Sequence, residues 1–433
     1  MRRVLVLTYY WPPSGGSGVQ RWLKGVRYLR DYGWEPVVYT AENGEYPVLD
    51  EALAAEIPEG VEVIRTRIWE PYQLYKRFNR QKKNERVVSG FLRDKKPGLK
   101  ARLSMWIRGN LFIPDARRFW IRPSVRFLRQ YLREHPVDLI VSTGPPHTMH
   151  VIGLKLRRQS AIPWVADFRD PWTNIDFYHE LMLSNWADRK HHRLEKAVVT
   201  TADGVVVVGN NMKEEFEAIG QRPVEVITNG YDEADVKLVR KEDRDAAFSI
   251  VHIGLMNQHR SHRAFWQALA DCKAADPEFA AALRLTLIGK VDVNAREAIR
   301  EHGLESHTEY IDYLPHPEAV RRQGQAQVLY LSINDTPNAK GVITGKIFEY
   351  LAAGRPILCQ GPEDGDAAVI VRDTGAGRVA GFQDRETTRH HLQHFFNLYR
   401  EDRLEVDSQG VAAYSRQKLT GRFAQLFDQL TTT

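Results

Sequence analysis

The sequence predicts an α/β protein of two doubly wound domains that face each other across a cleft. Three observations carry that expectation. Short runs rich in Val and Ile alternate with amphipathic stretches. The alternation restarts after a polar stretch at residues 231–247. Small-residue turns follow several of the runs. Alternation of this kind belongs to parallel sheets whose strands are covered on both faces.

In the first half the strand-like runs are residues 4–7, 36–39, 61–65, 139–142, 163–167, 204–208 and 224–227. After the first, Val19, Trp22, Leu23, Val26 and Leu29 recur at helical spacing, and residues 212–219 repeat the pattern after Gly209-Asn210. In the second half the runs are 250–253, 285–288, 310–313, 328–331 and 356–358. Helical patterns at 264–272, 295–302, 346–353 and 367–371 lie between them. The expected division is a Rossmann-like domain over 1–228, a second over 229–410, and a closing helix over 411–433 that carries Tyr414, Leu419, Phe423, Leu426, Phe427 and Leu430. Two such domains place a ligand at the carboxyl ends of their strands.

Composition narrows the class. The chain has 433 residues, 43% hydrophobic and 27% charged, which is enough for two cores. Two cysteines, Cys272 and Cys359, are too few for a disulfide framework or a thiolate zinc site and suit a reducing, cytoplasmic setting. Met1-Arg2-Arg3 leads into an apolar run that Trp11-Pro12-Pro13 soon interrupts, so the start reads as a first strand rather than a signal peptide. No apolar run has the length of a membrane-spanning helix. The net charge of +6 is uneven. From Arg65 to Arg133, the span of an expected insertion, about twenty Lys and Arg stand against Glu70, Glu85, Asp94 and Asp115. Trp69, Tyr72, Tyr75, Phe78, Phe91, Trp106, Phe112, Phe119 and Trp120 are interleaved with them. Such a stretch suits an anionic membrane surface or lipid phosphate, a nucleic acid, or a solvated helical insertion.

Five segments carry candidate chemistry. The first loop, Tyr9 to Gly18, holds Gly15 and Gly16 before a helix, where backbone can approach an anionic ligand or simply turn. It is not the GxGxxG of dinucleotide sites, so no such cofactor is expected. Asp167-Phe168-Arg169-Asp170-Pro171-Trp172 ends a strand. Its charges either point into a crevice or form a local pair, and Trp172 offers a flat face of the kind that packs on sugars. His147, in Gly144-Pro145-Pro146-His147, is an acceptor contact, a helix cap or a packing residue. After the second domain's first strand come Gly254 and Arg260, the latter able to hold a diphosphate bidentately or to stay an exposed loop residue. The most specific segment runs from Lys340 to Pro356. Thr344 and Gly345 open a helix and can cradle a phosphate, Lys346 can neutralise it, and Glu349 three residues on can take the hydroxyls of a ribose. Asp243-Arg-Asp245 and Asp364-Gly-Asp366 have the spelling of a metal motif but lie in a linker and a glycine-rich loop. His191-His192 has no third ligand nearby, so no metal is expected.

The order of these segments, with Thr228-Asn229-Gly230-Tyr231-Asp232 before the second domain, resembles the retaining GT-B glycosyltransferases of family four, and within them bacterial enzymes of surface-polysaccharide synthesis. The resemblance covers nearly the whole chain. It implies a metal-independent transfer, with no cofactor, from a nucleotide-sugar, probed first with UDP-linked sugars, to a glycan or lipid-linked acceptor. It places Glu349 at the ribose and Arg260, Thr344, Gly345 and Lys346 around the diphosphate. Gly15, Gly16 and Gly254 complete the donor side, Asp170, Arg169, Lys346 and Arg260 are the candidates for catalysis, and His147 and Trp172 face the acceptor. The chain departs from the family at Gly341, where a glutamate is usual, at Met256, where an arginine is expected, and at Arg169-Asp170, where many members carry a histidine. Two other readings are a nucleotide-sugar 2-epimerase of the same fold and a sugar-nucleotide-binding protein without catalysis. A nucleic-acid partner is not expected. Peripheral attachment to the inner face of a membrane follows if the basic stretch meets lipid.

Overall fold

A computed structural model describes residues 1–71, 99–176, 178–239, 243–406 and 408–432. Tyr72, Tyr75, Phe78 and Phe91, with the cations from Lys76 to Lys96, lie outside the described residues. The chain divides into two compact units, Met1–Thr228 with Thr420–Thr433, and Asn229–Leu419.

Unit 1 holds β1 (Arg2–Leu7), β2 (Trp34–Ala41), β3 (Glu62–Thr66), β4 (Leu139–Gly144), β5 (Trp164–Phe168), β6 (Gly204–Val207) and β7 (Glu225–Val226), all parallel, in the order 3-2-1-4-5-6-7. β1 is the middle strand: Val6 pairs with Val38 on one side and Val141 on the other. Val4 through Leu7 are fully buried, which is why this run is apolar at every position rather than at alternate ones. Helices of eight residues or more are α1 (Ser17–Leu29), α2 (Leu99–Leu111), α3 (Ile121–Glu134), α4 (Thr148–Arg157), α5 (Asn185–Thr201) and α6 (Asn210–Gly220).

Unit 2 repeats the winding. β8 (Phe248–Ile253), β9 (Leu283–Ile288), β10 (Thr308–Ile311), β11 (Val328–Ser332), β12 (Ile357–Gln360) and β13 (Gly377–Ala380) are parallel in the order 10-9-8-11-12-13. Its helices of that length are α7 (Arg263–Ala275), α8 (Val293–Glu301), α9 (His316–Gln325), α10 (Gly345–Ala353), α11 (Asp366–Asp373), α12 (Arg385–Arg400) and α13 (Arg416–Thr431), the last of which passes from unit 2 into unit 1 at Thr420. In each unit the strand order reverses beside the first strand, between β1 and β4 and between β8 and β11. The loops leaving those strands are therefore where a ligand is expected.

Two elements differ from the sequence expectation. β13 reads Gly-Arg-Val-Ala, with no apolar run to announce it. It is an edge strand, bonded on one side only, so pairing with β12 rather than two-sided burial makes it a strand. The described half of the basic stretch is not an open insertion. It forms α2 and α3, and α3 buries Ile121, Ser124, Val125 and Leu128 along one face while its arginines lie on the other.

Candidate active site

In unit 2 the loop after β8 and the start of α10 converge. Gly254 adopts φ 121°, a conformation that favours glycine, and a Cβ there would overlap Cε and Nζ of Lys346. Lys346 thus lies against bare backbone beyond the end of β8. Loss of solvent pushes its ammonium down to about 7. Arg260 adds to the shift and Glu349 opposes it. Arg260 is oriented from β11's side: its Nε donates to Asn334 Oδ1 at 2.7 Å and its Nη1 to the Leu255 carbonyl at 3.2 Å. His252, buried at the end of β8, donates from Nδ1 to the Tyr330 carbonyl at 3.0 Å. Burial first, then Lys346 and Arg260, hold its imidazole down to about 3, so it is neutral. Arg260 and Lys346, with a neutral histidine beside them, make a candidate anion site.

The helix start supplies the rest. Thr344 is the residue before α10, but its hydroxyl caps nothing, and Thr344 Oγ1 is buried without a hydrogen bond. Beyond Gly345 there is open space where a Cβ would stand. A free hydroxyl, the unbonded amides of Gly345 and Lys346 and the lysine side chain meet the requirements of a phosphate at a helix N-terminus. Glu349, one turn on, accepts from Gln323 Nε2 at 2.9 Å through one oxygen. Gly341 closes a short turn, and its neighbour Lys340 pairs with Asp364 at 2.5 Å. Met256 is fully buried in the core, so it has no part in anion binding.

Unit 1 presents a different chemistry. Asp167 is buried at the end of β5 and accepts from Arg21 Nη2 at 2.7 Å, Trp22 Nε1 at 2.7 Å and Thr143 Oγ1 at 2.8 Å. Arg21 also donates to the Ile227 and Thr228 carbonyls. The pair ties α1 to β5 and to the end of β7. Arg169 is held too: its Nη1 donates to Gly18 O at 2.8 Å and its Nη2 to Pro145 O, so it joins the first loop to the loop after β4. Its Nε is buried without a partner. Asp170 is exposed beside it. Gly16, at φ 87°, precedes α1 and opens to free space, whereas a Cβ on Gly15 would press on Val48 and Asp50.

Trp172 and His147 meet each other. Their rings stack 2° from parallel with centroids 4.5 Å apart, Trp172 is only 3% exposed, and its Nε1 donates to His191 Nδ1 at 3.0 Å. The open stacking face expected of Trp172 is therefore covered by His147. Nor does His147 cap a helix. Asp115 caps α4, accepting from Thr148 N and Oγ1 at 2.8 Å each. Burial holds the His147 imidazole well below its ordinary range, so it packs as a neutral ring. Glu195, on α5, accepts from Thr173 N and Oγ1 and fixes the loop that follows Trp172.

Asn334, Gln323, Asp115 and Glu195 were not legible as site or scaffold residues, and Asp167, named as part of a charged strand end, was not legible as the partner of Arg21. Each acts on a partner 22 to 146 positions away, and no local spacing signals that. The Asp-x-Asp pairs have other partners: Asp245 is bound to Arg322 at 2.7 Å and Asp364 to Lys340. Among the described residues no group of three or more His, Cys, Asp or Glu stands close enough to hold a metal ion. Cys272 and Cys359 are buried, and burial pushes both thiols up to about 12.

Two parallel-sheet units of this winding constitute the GT-B architecture, the fold of a class of glycosyltransferases. The sequence carries part of the same signature: residues 93–235 match the family described as Glycosyltransferase Family 4. No curated protein matches the sequence significantly. Among solved structures, sucrose-phosphate synthase from Thermosynechococcus elongatus is similar at TM-score 0.62 and 15% identity, with 100% of each chain covered. The lipopolysaccharide outer core galactosyltransferase WaaB is similar at 0.57 and 12%, over 99% of this chain and 100% of that one. A putative UDP-N-acetylglucosamine 2-epimerase from Listeria monocytogenes is similar at 0.56 and 12%, over 100% and 97%. At these identities the likeness is one of fold. No helix among the described residues is long and apolar enough to cross a membrane.

Proposed function

We propose that the protein is a cytoplasmic glycosyltransferase that moves a sugar from a nucleotide-sugar, UDP-linked in the first instance, to a glycan or lipid-linked acceptor, without a metal and with retention at the anomeric carbon. One observation carries the reading: Lys346 lies against Gly254 with Arg260 near enough to shift its ionisation, beside a helix start whose Thr344 hydroxyl and Gly345 face are free. That is a site for a leaving diphosphate. Negative charge builds on the diphosphate as the glycosidic bond breaks, and preformed cations and amides stabilise it where it develops. Glu349 takes the ribose hydroxyls. Within unit 1, Asp170, exposed just after β5, and the open backbone at Gly16 are the candidates for sugar contacts.

A panel of UDP-sugars tests this in the presence of EDTA. Release of UDP that rises with an acceptor supports transfer. Loss of activity on chelation, restored by Mg²⁺ or Mn²⁺, overturns the metal-free mechanism. A sugar isomer formed without an acceptor assigns the chain to epimerisation, and binding without turnover assigns it to carriage.

A further inference from the structure

The outer face of unit 1 carries a groove of about 490 Å³ between α3 and α4, lined by Arg122, Arg126, Arg129 and Arg133 on one wall and Lys155 and Gln159 on the other. The arginines recur at i, i+4, i+7 and i+11, so they form one stripe, about 16 Å long at 1.5 Å per residue. No carboxylate lines the groove. Among the described residues none of the five cations has an ion pair or side-chain hydrogen bond, although the same unit pairs Arg21, Arg30, Arg117 and Arg157 with carboxylates. Five like charges on the two walls of a groove focus a positive potential that opposes folding unless something negative occupies it.

The direction of the stripe follows from the topology. α3 ends at Glu134, just before β4 begins at Leu139, and α4 starts at Thr148, just after β4 ends at Gly144. Both helices therefore run from the carboxyl edge of the sheet to the opposite edge. Arg122 stands at the end nearest the loops after β1 and β4, and Arg133 and Lys155 stand at the far end.

We propose that this groove holds the acceptor as a linear polyanion, a glycan strand bearing carboxylate or phosphodiester groups, which runs from the carboxyl edge of the sheet along the outside of unit 1. The proposal rests on the glycosyltransferase reading for the word acceptor, and on the groove alone for the polyanion. Cations on two walls suit a strand one chain wide, whereas a flat bilayer meets only the rims. Single-stranded nucleic acid is held by aromatic stacking as well as charge, and no aromatic ring lines this groove. The amide of Gln159 is free to bond sugar hydroxyls.

The test uses the full chain and end-labelled oligomers followed by fluorescence anisotropy: oligogalacturonate for carboxylates, poly(glycerol phosphate) for phosphodiesters, and dextran of equal length as the neutral control. One of the charged oligomers is expected to bind at low salt and to dissociate as salt rises, and dextran is not. In Arg126→Glu/Arg129→Glu the charged oligomer binds roughly tenfold weaker or worse. That variant keeps the wild-type melting temperature, since both positions are exposed, and keeps the basal release of UDP from the donor in water. If the charge reversal lowers the melting temperature, Arg126→Gln and Arg129→Gln take its place. The proposal is overturned if wild type binds neither charged oligomer or if the variants bind them as wild type does. It is equally overturned if the substitutions abolish binding to anionic vesicles or single-stranded DNA but not to the oligomers. Oligomer binding that depends on Arg126 and Arg129, in a protein that releases no UDP from any donor, supports the groove and sinks the transferase reading instead.

Discussion

Lys346 occupies the space that a side chain on residue 254 would need. Gly254 sits at φ 121° after β8, and the end of Lys346 lies across it. Gly254→Ala therefore strains the backbone by about 1–3 kcal/mol and drives the ammonium from its position. Donor affinity and turnover should both fall, with a melting temperature lowered by only a few degrees. Wild-type kinetics in this variant would remove Lys346 from the diphosphate site.

Lys346→Ala and Arg260→Ala should each lower turnover by roughly 10²–10³, the range seen when a preformed electrostatic contact to a developing charge is removed. Asn334→Ala should reproduce part of the Arg260 effect, because Asn334 Oδ1 orients that guanidinium. Steady-state UDP release with a saturating donor reads this, and an unchanged rate in both cation variants would place the diphosphate elsewhere.

The depressed Lys346 sets a pH dependence. In the empty protein its ammonium titrates at about 7, and a bound diphosphate favours the charged form and raises that value. Binding then takes up a proton above pH 7. Donor affinity should be flat below pH 7 and fall as pH rises through it, by up to about tenfold per unit. The sign for stability is opposite. Between pH 7 and the ordinary lysine range the unfolded chain binds the extra proton, so this group's contribution to stability rises with pH. Calorimetry in buffers of different ionisation heat measures the uptake at pH 8, and Lys346→Ala should abolish it.

Glu349→Ala should weaken donor binding by about 1.5–3 kcal/mol, roughly tenfold to a hundredfold, with the fold intact. Asp167→Ala does the reverse. It leaves the Arg21 guanidinium buried without its carboxylate, a change that costs about 3–5 kcal/mol and lowers the melting temperature by roughly ten degrees. Comparing donor titrations and thermal melts of the two separates a ligand carboxylate from a scaffold one.

The described apolar part of the basic stretch should bring the protein to anionic membranes. Trp69, Trp106 and Phe119 are 54%, 41% and 44% exposed, the Trp69 and Phe119 rings are 4.9 Å apart, and the Arg118 guanidinium lies over Phe119. Aromatics settle at the headgroup level, and each nearby cation contributes about 1 kcal/mol on an anionic surface. Flotation with anionic vesicles is expected at low salt and is lost near 1 M, where the Debye length is about 3 Å. Trp69→Ser/Phe119→Ser should reduce it, whereas Arg126→Glu/Arg129→Glu should not. A protein that stays with the soluble fraction at low salt leaves these rings as solvated surface.

The sequence by itself determined the two doubly wound sheets, because strands buried on both faces must be apolar throughout, as residues 4–7 and 328–331 are. It also brought together the residues of the proposed phosphate cradle, because Thr344, Gly345, Lys346 and Glu349 are neighbours at the start of one helix. Tertiary structure alone decided which charges are free to act. Asp167 and Arg169 stand two positions apart at the end of β5 and look alike as a charged strand end, yet Asp167 is taken up by Arg21, Trp22 and Thr143, and Arg169 by two carbonyls. Trp172 reads as a sugar platform until His147, 25 positions earlier, stacks on it. Arg117 counts toward a basic patch until Glu70 takes it into a buried pair, while Arg122 to Arg133 keep no such partner. A side chain's type fixes what it can do. Whether it remains available depends on which distant groups the fold brings within a few ångströms, because a buried charge must be paired where an exposed one need not be.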